Sequence, residues 1–158
     1  TLENLKWGMI PSWAKKKEFK ALINARLETI NEKISFKKLI KTNRCIAVAD
    51  GFYEWKREGS TKTPYFFFRE DRKTIFFAGI FSNNEFCLIT ENANTNVSKI
   101  HDRQPIILNE KDIELYLNIN NNGSKELENR NKPNLEFYKI TRDVNKPTNN
   151  YSSLLKRI

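Results

Sequence analysis

The chain has 158 residues and a formal net charge of +9, from 28 Lys and Arg against 19 Asp and Glu. This length fits one compact domain over residues 1–158. No apolar segment could span a bilayer and the first residues do not resemble a signal peptide, so we expect a cytosolic protein. The charge favours a polyanionic partner, most often nucleic acid. The alternative is a Lys-rich surface in a Lys- and Asn-biased proteome.

The two cysteines, Cys45 and Cys87, lie in apolar, strand-like segments, which predicts buried free thiols. The chain has no CxxC motif and only one histidine. The sequence therefore predicts no zinc or other metal site, and nothing in it indicates a cofactor.

The first forty residues predict short elements. Residues 5–13 are apolar and broken by glycine and proline, which predicts a strand followed by a turn. Residues 15–22 predict a short basic helical turn, and residues 24–29 a loop or strand segment. Ser35 is placed to cap a short helix over residues 36–40.

Two tryptophans lie close together in the first of these segments. We expect Trp7 to pack in the core, because a large indole is costly to expose. Trp13 follows Pro11 and precedes three lysines at 15–17, so it is the better candidate for an exposed stacking platform.

A β-rich region follows. The predicted strands are residues 45–49, 52–56, 65–69, 74–81 and 86–90. Short, turn-like connections between sequential strands predict an antiparallel meander. Gly79 interrupts the fourth strand, which predicts a bulge or a close approach of the backbone.

The C-terminal third predicts mixed structure. Residues 106–108 predict a strand, and residues 110–117 a helix with Asn109 as its N-cap. Residues 118–134 form a polar connection with room for one helical turn, and residues 135–141 predict a last strand. The whole pattern predicts an α+β domain with a mainly antiparallel sheet and a few peripheral helices.

One carboxylate stands among aromatic residues in the middle of the chain. Asp50-Gly51 indicates a turn or bulge, because glycine tolerates positive φ. Strand alternation then places Phe52 and Glu54 on one face and Trp55 on the other. Partial desolvation of Glu54 would raise its pKa and suit a general acid or base. On this stretch alone, a glutamate that reaches water or pairs with a basic side chain is the commoner case.

Three polar stretches interrupt apolar surroundings, at Asn24-Ala25-Arg26, at residues 50–55 and at His101-Asp102-Arg103. Together they supply an amide, carboxylates, an imidazole and two guanidiniums, a set that can hold an anion and move a proton. A histidine in this setting is as often structural as catalytic.

Five motifs in order carry a family resemblance. They are Trp-Gly-Met-Ile-Pro-Ser-Trp-Ala at 7–14, Asn-Ala-Arg-Leu-Glu-Thr at 24–29, Arg-Cys-Ile-Ala-Val-Ala-Asp-Gly-Phe-Tyr-Glu-Trp at 44–55, Ala-Gly-Ile-Phe at 78–81 and Ile-His-Asp-Arg-Gln-Pro at 100–105. This series closely resembles the SOS-response-associated peptidase (SRAP) family, the abasic-site-processing proteins, over nearly the whole chain. Gln104 departs from the methionine or arginine expected at its position.

The resemblance implies a function on single-stranded DNA that carries an abasic site, in the bacterial cytosol and at the nucleoid when DNA is damaged. In the family, removal of the initiator methionine exposes an N-terminal cysteine, which condenses with the sugar aldehyde to a thiazolidine crosslink. By resemblance, Asn24 hydrogen-bonds the reacting amine or sugar. Glu54 shuttles protons in self-processing and imine chemistry, and His101 is the acid–base catalyst of sugar ring opening and crosslink reversal.

The resemblance also assigns DNA-binding positions. Arg26 and Arg103 hold phosphates beside the lesion, and Thr90 lies at a strand end next to the site. Trp13 and Trp55 support the DNA by stacking or as wedges. Alternation turns Trp55 away from Glu54, so we expect Trp55 to reach DNA only if it lies near its strand end.

The implied nucleophile does not occur in this sequence. Cys45 and Cys87 are internal, so neither carries the free α-amine that a thiazolidine needs. We expect the sequence to be a fragment that lacks the family's N-terminal segment. Two functions stay open: an abasic-site-processing enzyme that is complete only with that segment, and a non-catalytic module that binds single-stranded nucleic acid. A peptidase that acts on other proteins is the weaker third, because no nucleophile–base pair is visible.

Overall fold

A computed structural model describes residues 1–14 and 19–158. Residues 15–18, the first half of the basic turn predicted at 15–22, lie outside the described residues. By backbone proximity the chain divides into two compact units, each built from three segments. The first unit comprises Thr1–Val48, Phe76–Glu91 and Pro105–Lys132, and the second comprises Ala49–Ile75, Asn92–Gln104 and Pro133–Ile158.

Strands dominate the described residues. The strands are β1 (Lys6–Trp7), β2 (Asn24–Arg26), β3 (Arg44–Ala49), β4 (Phe52–Glu58), β5 (Thr61–Arg69), β6 (Ile75–Ser82), β7 (Glu85–Asn92), β8 (Arg103–Pro105), β9 (Ile107–Leu108) and β10 (Leu135–Lys139). The α-helices are α1 (Leu39–Thr42), α2 (Glu110–Leu117) and α3 (Gly123–Asn129). Four 3₁₀ turns cover Leu27–Thr29, Val97–Lys99, Arg142–Asn145 and Ser152–Leu155. The predicted α+β class with a mainly antiparallel sheet is confirmed.

The first unit is built on a sheet with the strand order β1-β7-β6-β3. Strands β6 and β7 form an antiparallel hairpin, and β9 joins β6 antiparallel. The short strands β1 and β2 both run parallel to β7. The apolar face of this sheet is buried by side chains that include Met9, Ile40, Ile80, Ile89, Tyr116 and Leu127.

The second unit is built on a three-stranded antiparallel sheet with the order β10-β5-β4. Aromatic rings cover both faces, as period-two alternation requires. On one face the ring centroids of Phe52 and Phe67 lie 5.1 Å apart, and on the other those of Tyr53 and Phe66 lie 5.7 Å apart. Strand β4 is an edge strand, so no further strand pairs with its outer edge, and side chains from both faces can be reached from there.

The predicted strands of the middle region are confirmed, with one or more extra residues at most ends. The continuous meander is wrong. Strand β3 pairs with β6 and strand β4 pairs with β5, so sequential strands separate into two sheets. Short connections do not choose the partner of a strand, because cross-strand packing and burial of its side chains decide the pairing.

The helix predictions have mixed outcomes. Helix α2 occupies residues 110–117 as predicted, and Asn109 and Asp112 form a reciprocal capping box at its start. Helix α1 begins only after Lys38, so the predicted Ser35 cap is wrong. The polar connection after α2 contains one further helix, α3.

Gly51 is required for a different reason from the one predicted. Its φ angle is not positive, whereas those of Gly8 and Gly59 are. A Cβ atom at position 51 would instead lie 2.2 Å from the Phe66 ring and 2.4 Å from the Phe67 carbonyl oxygen. Glycine therefore allows the turn into β4 to pass close to β5.

Candidate active site

A cleft of about 590 Å³ runs along the edge strand β4 of the second unit. It combines acidic, basic, aromatic and imidazole side chains. Its lining residues are Glu54, Trp55, Arg57, Lys62, His101, Val144, Asn145 and Pro147. The two residues assigned to proton transfer and one of the predicted DNA-binding tryptophans thus share one cleft.

Glu54 and His101 face each other in this cleft. Glu54 Oε2 lies 4.0 Å from His101 Nε2, and the two side chains are 23% and 36% exposed. Glu54 is positioned by the β4–β5 ladder, opposite Tyr65. His101 follows the 3₁₀ turn Val97–Lys99, and its backbone N–H donates to the Val97 carbonyl. A proton can pass between the two groups after a small movement or through one bridging atom of a ligand.

The far side of the imidazole ring is held by its neighbours. His101 Nδ1 lies 3.1 Å from the Arg103 backbone N–H nitrogen, 3.1 Å from the Arg103 carbonyl oxygen and 3.3 Å from the Asp102 carboxylate. When Nδ1 accepts from the N–H, the proton sits on Nε2 and points toward Glu54. When Nδ1 carries the proton, it donates to an oxygen and Nε2 becomes an acceptor. The surroundings accommodate both tautomers, so Nε2 can give or take a proton.

Burial raises the pKa of the Glu54 carboxyl above its ordinary value. The charge of His101 and a hydrogen bond from the Trp55 backbone act in the opposite direction, and the Asp102 charge adds to the rise. Desolvation is the largest of these effects, as expected for a carboxylate set among aromatic rings. A carboxyl with a raised pKa can act as acid or base closer to neutral pH.

Trp55 lies on the face of the sheet opposite to Glu54, in line with the predicted alternation. Its indole Nε1–H donates a 2.6 Å hydrogen bond to Asn145 Oδ1, which fixes the plane of the ring. Trp55 and Glu54 nevertheless line the same cleft. This is possible because β4 is an edge strand, and the cleft runs along its unpaired edge, where side chains from both faces of the sheet are accessible.

Arg103 and Gln104 belong to the second unit but do not line the cleft. Arg103 Nη1 donates to Asn92 Oδ1 at 2.7 Å. Gln104 is buried, and its side-chain oxygen accepts from the Asn94 backbone N–H at 2.8 Å. The residue that departs from the family pattern therefore supports the loop before His101.

Three predicted site residues lie together on the first unit. Asn24 and Arg26 stand at the ends of β2, with the buried Ala25 between them, so both point outward. In the parallel register Arg26 is the partner of Thr90 on β7, and Asn24 is the partner of Leu88. The structure thus groups the Asn24, Arg26 and Thr90 side chains along one strand pair.

The two early tryptophans are both exposed. Trp13 is 55% exposed and meets Phe19 edge-to-face with the ring centroids 5.3 Å apart, which fits its predicted availability. Trp7 is 54% exposed, so its predicted core position is wrong. Its indole N–H donates to the Ile23 backbone carbonyl at 2.9 Å, which holds the exposed ring in place.

Sequence reasoning missed three polar residues of the cleft, Arg57, Lys62 and Asn145, and the apolar Val144 and Pro147. Alternation from Trp55 could have found Arg57, two positions further along β4. Lys62 is the cross-strand partner of Arg57, which only the hairpin register shows. Asn145 lies in the 3₁₀ turn after β10, far from the other cleft residues in sequence.

Both cysteine thiols are free, and neither lines the cleft. Burial raises the pKa of both Cys45 and Cys87 to about 12, so both remain protonated at neutral pH. Across residues 1–14 and 19–158 no three His, Cys, Asp or Glu side chains are arranged to hold a metal ion. Within the same ranges, every helix is too short or too polar to cross a membrane.

The fold and the cleft define an α+β protein with an acid–base pair and an aromatic, basic edge. Residues 1–147 match the family model described as SOS response associated peptidase (SRAP). The chain belongs to the SRAP family.

Several relatives are named as abasic site processing proteins. YoqW of Bacillus subtilis (strain 168) is 35% identical over 170 residues, which cover 98% of this chain and 76% of the relative. YedK of Escherichia coli (strain K12) is 39% identical over 115 residues, covering 68% of this chain and 50% of the relative. HMCES of Gallus gallus is 32% identical over 185 residues, covering 94% and 55%.

Solved structures share the fold. A protein from Bacteroides thetaiotaomicron superposes with a TM-score of 0.84 at 28% identity, covering 98% of this chain and 75% of the other. A phage-related protein from Bordetella bronchiseptica superposes with a TM-score of 0.72 at 25% identity, covering 87% and 70%.

Proposed function

We propose that this protein processes abasic sites in single-stranded DNA. Membership of the SRAP family and the names of its relatives support the substrate. The observation that carries the chemistry is the Glu54–His101 pair, a desolvated carboxyl and an imidazole nitrogen 4.0 Å apart in one cleft.

An abasic sugar is unreactive while its ring is closed as a hemiacetal. Opening requires that the anomeric hydroxyl lose a proton, that the bond from C1′ to the ring oxygen break and that the ring oxygen gain a proton. Glu54 and His101 can serve as the acceptor and the donor in this step, because Nε2 works in either tautomer. The product is the open-chain aldehyde on which any later amine chemistry depends.

Aromatic and basic side chains support the binding of a single strand. The indole of Trp55 is held beside the acid–base pair and is partly exposed, and an accessible indole face accepts a base without reading its identity. By family resemblance, Arg26 and Arg103 are assigned to phosphates, Asn24 to the reacting amine or sugar, Thr90 to a strand end beside the site, and Trp13 to a second stacking position. The net charge of +9 suits a polyanion.

The thiazolidine crosslink that the family resemblance implies needs a cysteine with a free α-amine. Cys45 and Cys87 lie within strands and have none. The proposal therefore gives residues 1–158 the tasks of binding DNA and moving protons. The autopeptidase and lyase-like steps would use the same Glu54–His101 pair in a protein that also carries that cysteine.

Trapping of the open aldehyde tests the proton-transfer role without the crosslink. A single-stranded oligonucleotide with one abasic site is mixed with a hydroxylamine probe, and the rate of oxime formation is followed with and without saturating protein. We expect wild type to accelerate oxime formation. In Glu54→Gln and in His101→Ala the acceleration should be smaller by a factor of about 100 or more, the usual size of an acid–base contribution.

Binding to the same oligonucleotide without a lesion is the matched control. Both variants should bind it like wild type, because neither residue is assigned to phosphate or base. If wild type binds the strand but leaves the trapping rate unchanged, the enzyme proposal is wrong and the non-catalytic binding module is correct.

A further inference from the structure

Two cations face each other across the hairpin that forms the edge of the cleft. Arg57 on β4 is the direct partner of Lys62 on β5, and both line the cleft with Glu54 and His101. Like charges directly opposite each other on a sheet are destabilising. A cross-strand pair of this kind therefore calls for a compensating anion.

The nearby carboxylates do not supply that anion. Glu58, next to Arg57 in sequence, points to the other face and pairs with Lys56 Nζ at 2.8 Å. Desolvation and then the Asp143 carboxylate raise the pKa of the Tyr151 hydroxyl, so Asp143, in the 3₁₀ turn beside the cleft, interacts with Tyr151. Among residues 1–14 and 19–158, no ion pair involves Arg57 or Lys62.

An aromatic surface adjoins the two cations. Trp55 lies two residues before Arg57 on the same face of β4, and Asn145 fixes its ring. Two cations next to a rigid indole are the combination by which proteins hold a single nucleic acid strand, with phosphate on the cations and a base on the ring. The arrangement is about one nucleotide in scale, because strand neighbours two positions apart are separated by roughly 7 Å.

We propose that Arg57 and Lys62 form a phosphate subsite that binds the backbone of the strand beside the nucleotide on Trp55. This deepens the proposed function, since it rests on single-stranded DNA as the ligand, but it does not depend on abasic-site chemistry. The charge repulsion across the hairpin is then relieved when the phosphate binds.

The test measures the affinity for a lesion-free, fluorescein-labelled oligothymidine by anisotropy at several salt concentrations. The double variant Arg57→Ala/Lys62→Ala removes both cations. Arg57→Lys/Lys62→Arg keeps both charges. Lys73→Ala/Lys139→Ala removes two exposed lysines of the same unit that do not line the cleft.

Each phosphate contact to a single strand contributes about 0.7 to the slope of log affinity against log salt. We expect Arg57→Ala/Lys62→Ala to lower that slope by about 0.7, the value for one phosphate, so that the variant loses about 5-fold more affinity at 0.1 M salt than at 1 M salt. The charge-preserving pair should behave like wild type, and Lys73→Ala/Lys139→Ala should keep most of the slope. Thermal unfolding of each variant checks that the hairpin is intact.

Three outcomes would overturn the subsite. The first is an equal slope for Arg57→Ala/Lys62→Ala and Lys73→Ala/Lys139→Ala. The second is that wild type does not bind the strand. The third is that Arg57→Ala/Lys62→Ala loses as much affinity for polyglutamate as for the oligothymidine, which would indicate a general anion site. Oxime trapping on the abasic oligonucleotide is scored separately. If trapping fails while the slope changes as expected, the abasic-site function is wrong and the subsite stands.

Discussion

Glu54 Oε2 and His101 Nε2 lie 4.0 Å apart, and each side chain is held by its own element of the second unit. The carboxyl comes from the edge strand β4, and the imidazole comes from the loop before β8. The acid is thus desolvated, and the imidazole ring is held in place through Nδ1 on its far side. This arrangement suits the passing of a proton between Glu54 and Nε2 better than a permanent ion pair.

The first prediction concerns the titration of Glu54. In a carbon-detected NMR titration, the Glu54 carboxyl should have a pKa above its ordinary value of 4.5, whereas that of Glu58 should be lowered by its hydrogen bond to Lys56. His101→Gln should raise the Glu54 pKa further, and Asp102→Asn should lower it, because the two charges act with opposite sign. Shifts in the same direction for both variants would contradict the electrostatic account.

The second prediction concerns stability against pH. Because the folded-state pKa of Glu54 is raised, the folded protein binds this proton more tightly, and the associated stability is lost as pH rises from about 4.5 through the folded pKa. Glu54→Gln cannot ionise, so its unfolding free energy should rise relative to wild type over that range, by up to about 1 kcal/mol. Urea unfolding at several pH values measures this difference.

Glu58→Gln is the control for the stability series. The pKa of Glu58 is lowered, so any contribution of its charge is present above the ordinary carboxyl pKa and is lost on acidification. The pH trend of Glu58→Gln relative to wild type should therefore have the opposite sign. If the difference in unfolding free energy between Glu54→Gln and wild type does not change with pH, burial of the Glu54 charge is not the cause of that difference.

The third prediction concerns Gly51. Gly51→Ala forces a Cβ atom against the Phe66 ring and the Phe67 carbonyl, so we expect a loss of about 1–3 kcal/mol or more in unfolding free energy. Gly59→Ala meets no atom within 4 Å but keeps a φ of +60°, which costs about 1–2 kcal/mol. Gly59→Asn should recover part of that loss, and Gly51→Asn should not. Recovery at position 51 would indicate a conformational rather than a steric requirement.

The fourth prediction concerns a buried ion pair in the first unit. Glu91 at the end of β7 pairs with Arg130, which also donates to the carbonyls of Ile107 and Leu127. Arg130→Met should cost about 3–5 kcal/mol, because it leaves a buried carboxylate short of its main partner. Lys132 contacts the same carboxylate at 2.8 Å but is half exposed, so Lys132→Met should cost at most about 1 kcal/mol. Equal losses in urea unfolding would show that Lys132 can replace the arginine.

The fifth prediction concerns Trp55. Trp55→Leu should weaken binding of a lesion-free single strand by about 1–3 kcal/mol, the usual value of one stacked base. Asn145→Ala should weaken binding by a smaller amount, because the indole of Trp55 is then no longer held by its 2.6 Å hydrogen bond. Trp7→Leu is the control, since Trp7 is more exposed than Trp55 but has no assigned contact with DNA. An equal loss for Trp7→Leu and Trp55→Leu, measured by anisotropy, would remove the special role of Trp55.

Local patterns were enough for most elements and for the composition of the site. The alternation in β4 and the N-cap of α2 were correct because both depend on neighbours close in sequence. The raised pKa of Glu54 also followed from its aromatic surroundings. The five ordered motifs placed the chain in its family before any geometry was known.

Only the tertiary structure decided which strands pair and what meets at the cleft. The separation of β3 from β4, the parallel addition of β1 and β2 to β7, and the exposure of Trp7 all depend on contacts between residues distant in sequence. The same holds for the approach of His101 to Glu54 and of Lys62 to Arg57. Side-chain chemistry and strand periodicity are local properties that the sequence contains directly, whereas register and burial are set by the packing of the whole unit.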